Sequence, residues 1–481
     1  MKTYLYTCLV MLMLLLSMSC KKSFLEIVPK GQVLASTVKD YDGLMNHTSF
    51  YANYYGLPGL VMGDELAAEA VQFPSAPLLT QRGFAWMDQL YDATVSSAQL
   101  DVELKNIYIC NKVINEVLHI ADGTEAQRKN IRAEALANRA WSYFGLITCY
   151  GKPYLASSAA TDPGLPIILT AEISNTGFKR NSVSEVYQQI LSDLKVAIPD
   201  LSTQVEVKTR VSRQAAMGML GKVYLFMGQY EEAKIQFDAA FADLATTSST
   251  TSLYDYNEAF LPTGVFQPFG RFGPNNPGNN TQLLNEAILH KTAILSGDFS
   301  NTGLVMTKET MDLYKPSDLR LNFYSNMRSN FTPLPPGLYG KYALTYAHTG
   351  LELADMILMR AEVRARTGNT AGAVQDLEWL RKNRMPSADA SVPSTVTADP
   401  LKLLNFILEE RIREFAGEGY RWPDMRRLSV DPLFSSKTYR HLVFGEDGTS
   451  IKNTYTLKPE RFTLRLPQLI LAGNPDMINN P

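Results

Sequence analysis

Gly221 and Ala233 stand twelve residues apart within a run of helically spaced apolar residues, and Ala361 and Ala373 repeat that separation farther along. This recurrence constrains the chain more than any other feature. Tetratricopeptide repeats of about 34 residues place small residues where two antiparallel helices touch. Residues 213–244 read as one such pair, with Leu220, Gly221 and Tyr224 on the first helix and Ala233, Phe237 and Ala240 on the second. Gly228-Gln229 supplies the turn, and Gly368-Asn369 does the same in a second pair over 351–384. Leu90 to Ile120 and Gln127 to Tyr150 read as further, divergent helices, the latter with Ala133, Ala137 and Ala140 on a small-residue face. Such pairs bury a continuous core only when stacked. Three or four of them predict a mostly α fold: a tetratricopeptide-like helix-pair scaffold with long irregular loops and a few short strands.

The loop-rich insertions fall around 151–180, 246–345 and 386–400, where Gly, Pro, Asn, Ser and Thr interrupt the periodicity. One stretch concentrates Tyr254, Tyr256, Phe260, Phe266, Phe269 and Phe272 among Gly and Pro without helical spacing. Aromatic rings on a loop suggest a binding surface, although such rings also serve to pack a loop onto its scaffold.

The amino terminus sets an address. Met1-Lys2 precedes the apolar run Leu9–Leu16, which is too short to span a bilayer and sits where a secretory leader belongs. Leu16-Ser17-Met18-Ser19-Cys20 then resembles a bacterial lipoprotein cleavage site. Residues 1–19 are therefore expected to be a lipoprotein signal peptide, and 20–481 a single domain anchored to the membrane through lipid on Cys20. Several acyl chains anchor a protein stably where one gives only marginal binding. Cys110 and Cys149 fall in predicted helices and are expected to be free thiols.

With 46 basic and 48 acidic residues dispersed along the sequence, no field for nucleic acid is built. Catalytic signatures are absent too. The five histidines are scattered singly, no HExxH, GxSxG or P-loop occurs, and the neighbouring carboxylates Asp64-Glu65 and Glu409-Glu410 read as solvated or ion-paired. No catalytic residue, metal ligand or cofactor is expected. A glycoside hydrolase stays as the enzyme alternative, because two distant carboxylates can converge without leaving a pattern.

The stretch Glu410-Arg411-Ile412-Arg413-Glu414-Phe415-Ala416-Gly417-Glu418-Gly419-Tyr420-Arg421-Trp422-Pro423-Asp424-Met425-Arg426-Arg427 resembles the C-terminal signature of the SusD/RagB lipoproteins of Bacteroidetes. Arg139-Ala140-Trp141-Ser142-Tyr143-Phe144, Tyr150-Gly151-Lys152-Pro153-Tyr154 and the closing Asn479-Asn480-Pro481 are similar to further family positions, in the right order. The resemblance implies a SusD-like nutrient-binding protein of the outer membrane, lipid-anchored and surface-facing. Such a protein docks on a TonB-dependent, SusC-like transporter and closes over it like a lid. It also implies ligand contacts from loops of the N-terminal half and the mid-chain insertion, so that Phe73, Trp86, Tyr254, Tyr256, Phe266 and Phe269 become ligand candidates. The ligand is an oligosaccharide or polysaccharide, with a RagB-like peptide and a purely protein-binding scaffold as the alternatives.

Overall fold

The structure is a computed structural model that describes residues 35–53, 58–172, 177–247, 251–270, 273–275, 284–294, 302–328, 330–342 and 346–481. The expected leader, Cys20 and Phe272 lie outside these residues.

The main helices are α1 (Val38–Met45), α2 (Ala98–Glu116), α3 (Glu125–Tyr150), α4 (Val183–Ala197), α5 (Arg213–Phe226), α6 (Tyr230–Thr246), α7 (Leu353–Arg366), α8 (Thr370–Lys382), α9 (Pro400–Phe415) and α10 (Arg421–Leu428). Their starts are encoded locally. Thr124 with Gln127 and Ser182 with Glu185 form reciprocal capping boxes, and Asp399 caps α9 ahead of Pro400. Both predicted repeats are present. Gly228 and Gly368, with φ of 72° and 81°, make the left-handed turns between α5 and α6 and between α7 and α8.

Helix α2 packs on α3, α3 on α4, and α7 on both α6 and α9, so the pairs stack as the repeat reading requires. Arg364 of α7 reaches Asp238 of α6 at 2.7 Å, joining the second repeat to the first. Within the first repeat the contact is tight: a Cβ on Gly221 would lie 2.8 Å from the Phe237 ring, which is fully buried. Gly221→Ala is therefore expected to destabilise the fold by about 1–3 kcal/mol through overpacking, against the gain in helix propensity. A lowered midpoint of thermal unfolding checks it, and a raised one overturns it.

The expected few strands are short. β1 (Leu66–Glu69), β2 (Ala287–Leu289), β3 (Leu304–Met306), β4 (Tyr346–His348), β5 (Leu351–Glu352), β6 (Arg440–Phe444) and β7 (Ile451–Thr456) include a four-stranded sheet ordered β7-β6-β1-β3. In it β6 runs antiparallel to β7 and parallel to β1, while β1 pairs antiparallel with β3, Ala67 facing Val305. Strand β2 pairs with β5 so that Ala287 opposes Glu352, which brings the mid-chain insertion onto the start of α7.

The signature segment is an electrostatic staple. Glu410, fully buried on α9, takes Arg320 and Arg381 at 2.7 Å and Arg413 at 2.9 Å. Arg411 bridges Asp355 and Asp424, and Arg427 grips both oxygens of Glu362 at 2.6 Å. Gly417 and Gly419 then turn the chain with φ of 74° and 84° into α10, whose Trp422 is 1% exposed. The closing asparagine has a comparable duty, since Asn480 donates to the Tyr150 and Leu464 carbonyls.

One reading of the acidic neighbours changes, that of Glu65. Asp64 is ion-paired with Lys437 at 3.0 Å and with Arg421. Glu65, however, is buried and has no ion pair among the described residues. It is 2% exposed, Oε1 accepts from the Gly417 N–H at 3.3 Å, and Oε2 has no hydrogen-bond partner. Burial, with Asp64 beside it, pushes the Glu65 carboxyl up to about 7. Asp64 and Glu65 lie in the turn just before β1, where one carboxylate meets cations and the other meets the interior. Cys110 and Cys149 are free, as expected, and burial raises both thiols.

Candidate functional site

The mid-chain aromatic residues meet in space. Tyr256 opens a single helical turn, Tyr256–Ala259, capped by Asp255, whose carboxylate accepts from Asn257 N at 2.9 Å. This turn is tied to the end of α8, because Tyr256 N donates to the Asn383 carbonyl and the Asn257 amide to that of Lys382. Phe266 then folds back among Tyr254, Tyr256 and Phe260 with ring centroids 5.5, 5.2 and 5.0 Å away. Phe323, which sequence reasoning missed, closes the knot at 5.5 Å from Phe266.

Tyr254, Tyr256 and Phe266 line a cavity of about 120 Å³. Its other wall is ionic. Arg384, fully buried, donates to Glu286 and Glu414 at 2.8–2.9 Å and to the Tyr254 carbonyl at 2.8 Å, with its guanidinium 4.2 Å from the centre of the Tyr256 ring. Arg384 thus locks the aromatic loop to the signature helix. No spacing announces Arg384, Glu286 or Phe323, which come together only through the pairing of β2 with β5 and the packing of α8 on α9.

Deeper in the same cavity, Glu352 lacks an ion pair with any lysine or arginine among the described residues. Burial, followed by the charges of Glu286 and Glu418, pushes its carboxyl up to about 8. Its Oε1 has no hydrogen-bond partner and lies 3.8 Å from His348 Nδ1, which has none either. Burial lowers the His348 pKa, so both groups are neutral near pH 7.

Phe269 stands outside this knot. It is 46% exposed, edge-on to Tyr342 at 5.8 Å, and Leu261 and Val265 of the same loop are exposed as well. Phe73 and Trp86 go elsewhere. Phe73 is 6% exposed against Phe84 at 4.8 Å. Trp86, 3% exposed, stacks on His441 at 3.8 Å, and its indole N–H donates to the Met62 carbonyl at 3.1 Å. Trp86 sits in the left-handed region at φ 47°, eleven residues before Ser97 caps α2. Both rings pack the interior beneath β6, away from the aromatic cavity.

A stacked helix-pair scaffold whose insertions build an aromatic-lined cavity is the architecture of a binding protein on a repeat frame. Comparison with known proteins makes this specific. Residues 85–225 match a SusD-like family model described as starch-binding and associating with the outer membrane, and residues 298–481 match the SusD family model. The chain belongs to the SusD/RagB family. SusD-like protein P38 of Formosa agariphila is 23% identical over 373 residues, covering 64% of this chain and 71% of that one. A SusD superfamily protein of Bacteroides thetaiotaomicron superposes with a TM-score of 0.71 at 19% identity, covering 92% of this chain and all of that chain. A laminarin-binding SusD-like protein superposes with a TM-score of 0.59 at 18% identity, covering 92% and 96%. The fold is thus the helical, tetratricopeptide-like SusD fold. No helix among the described residues is long and apolar enough to cross a membrane.

Proposed function

We propose that the protein is an outer-membrane lipoprotein, cut before Cys20 and anchored through lipid on it, that captures a glycan and delivers it to a TonB-dependent, SusC-like transporter. In this reading residues 20–481 act as one unit, and the ligand face is the loop carrying Tyr254, Tyr256, Phe266 and Phe269. The observation that carries it is the exposed Phe269 ring, edge-on to Tyr342, beside the aromatic knot that Arg384 ties to the signature helix. An exposed ring offers an apolar face to a sugar. The family description and the laminarin-binding relative of the same fold support a glycan over a peptide.

The test is calorimetric titration of the purified chain with starch, laminarin and other polysaccharides, with a peptide panel alongside. Saturable glycan binding is expected, weakened about tenfold in Phe269→Ala, which corresponds to about 1.4 kcal/mol. Binding confined to peptides would favour the RagB-like reading. Release of new reducing ends would favour a glycoside hydrolase, for which the neutral Glu352 would be the candidate acid.

A further inference from the structure

A second cleft, of about 170 Å³, shares His348 and Glu418 with the aromatic cavity. Its apolar side comes from Leu60, Trp141, Phe144 and Phe226. On its lining stand four side chains that each hold a buried polar atom with no hydrogen-bond partner among the described residues: Gln99 Oε1, His348 Nδ1, Tyr420 Oη and Trp422 Nε1. Trp422 is itself 1% exposed. Buried polar atoms left unpaired are costly, and these four side chains place neutral donors and acceptors along this cleft.

The charged groups on this lining are already answered. Lys222 meets Asp355 at 3.0 Å, Arg411 meets Asp355 and Asp424 at 2.8 and 2.7 Å, and Glu418 meets Lys341 at 2.6 Å. Glu103 accepts from the Asn106 amide at 3.2 Å. Cations and carboxylates both stand in the wall, so neither a cationic nor an anionic ligand is favoured, and the unmet demand is for neutral donors and acceptors together.

A second feature points the same way. Trp141, Gly145, Thr148 and Cys149 follow one face of α3 into the cleft. Glycine inside a helix is disfavoured relative to alanine, and is usually tolerated where a neighbour leaves no room for a side chain. Here a Cβ would meet no atom within 4 Å. Packing therefore does not require Gly145, and its missing side chain keeps the cleft open. A cavity of about 150 Å³ accommodates a benzene ring, so this one fits a single six-membered ring.

We infer that this cleft is a binding site for one uncharged six-membered ring bearing several hydroxyls, that is, a single sugar unit with an apolar face toward the aromatic wall and hydroxyls toward the neutral polar side chains of the lining. The inference rests on the capture reading only for the source of the ring, either the terminal unit of a captured glycan or a free monosaccharide.

The experiment titrates the purified full chain with glucose, galactose, mannose and xylose, and with glucosamine and gluconate as charged analogues. Fluorescence of Trp141 and Trp422 and calorimetry provide the readouts, alongside the polysaccharides used above. At least one neutral sugar is expected to bind saturably, tenfold or more tightly than the charged analogues. Gly145→Leu is expected to weaken that binding tenfold or more with the thermal midpoint unchanged or raised, Gly145→Ala less, and Tyr420→Phe several-fold. Loss of polysaccharide binding together with the monosaccharide in Gly145→Leu identifies a glycan end as the source, whereas retention identifies free sugar. The inference is overturned if no neutral sugar binds, if charged analogues bind equally, or if Gly145→Leu binds like the parent. Polysaccharide binding that responds to Phe269→Ala in any of those cases leaves the capture reading standing, with only water in this cleft.

Discussion

Replacing Glu410 by alanine lowers the stability of the fold by about 3–5 kcal/mol, the cost of removing one partner from a buried ionic cluster. The carboxylate is fully buried. Burial alone would raise its pKa, but the guanidiniums of Arg413, Arg320 and Arg381 hold it well below the usual carboxylate range. Without it the three cations are left unequally provided for. Arg320 keeps Asp318 at 2.7 Å and Glu414 at 2.9 Å. Arg381 keeps the Ala390 and Asp389 carbonyls at 2.7 and 3.2 Å but, among the described residues, no carboxylate, and Arg413 keeps Glu409 at 3.9 Å beside the Leu313 and Phe406 carbonyls at 3.3 and 3.4 Å. Two charges then remain buried without a close counter-ion. Denaturant unfolding of Glu410→Ala should show a lower midpoint with an unchanged slope. Glu410→Gln, which keeps the shape and removes the charge, should lose nearly as much. A midpoint equal to the parent's in both variants would refute the staple.

Glu352 predicts a pH dependence of opposite sign to that of ordinary salt-bridged carboxylates. Its carboxyl is raised from 4.5 to about 8, by burial first and then by Glu286 and Glu418. A group whose folded pKa lies above its unfolded value favours the folded state fully below the unfolded value, and that contribution is lost as pH rises through the folded value. The window therefore runs from about pH 4.5 to about pH 8, with a slope of at most about 1.4 kcal/mol per pH unit. Other groups titrate in the same range, so the quantity to measure is the difference between the parent and Glu352→Gln, in which common contributions cancel. Over that window the parent should lose stability relative to the variant by several kcal/mol in total. A constant difference would mean that Glu352 is ionised in the folded protein at neutral pH.

Much of the scaffold was legible because helix pairs are local objects. The twelve-residue separation of Gly221 from Ala233 reflects an antiparallel contact that a few consecutive residues specify, and Gly228 and Gly368 mark turns that only a left-handed residue makes comfortably. The C-terminal signature was legible as a pattern but not as a mechanism. Spacing within α9 suggests ion pairs along one helix, whereas among the partners of Glu410 only Arg413 lies on that helix. The others arrive from positions 29 and 90 residues away.

By itself the sequence determined the helix pairs, their turns and caps, and the clustering of rings between 254 and 269, because periodicity, capping and turn chemistry act over a few residues. Only the tertiary structure decided which rings face a cavity and which are packed into the core. It buried Trp86 on His441, left Phe269 exposed, and set Arg384 against Tyr256. The reason is physical: exposure, desolvation and ion pairing depend on neighbours brought from far along the chain, such as β2 beside β5, and no local pattern encodes those neighbours.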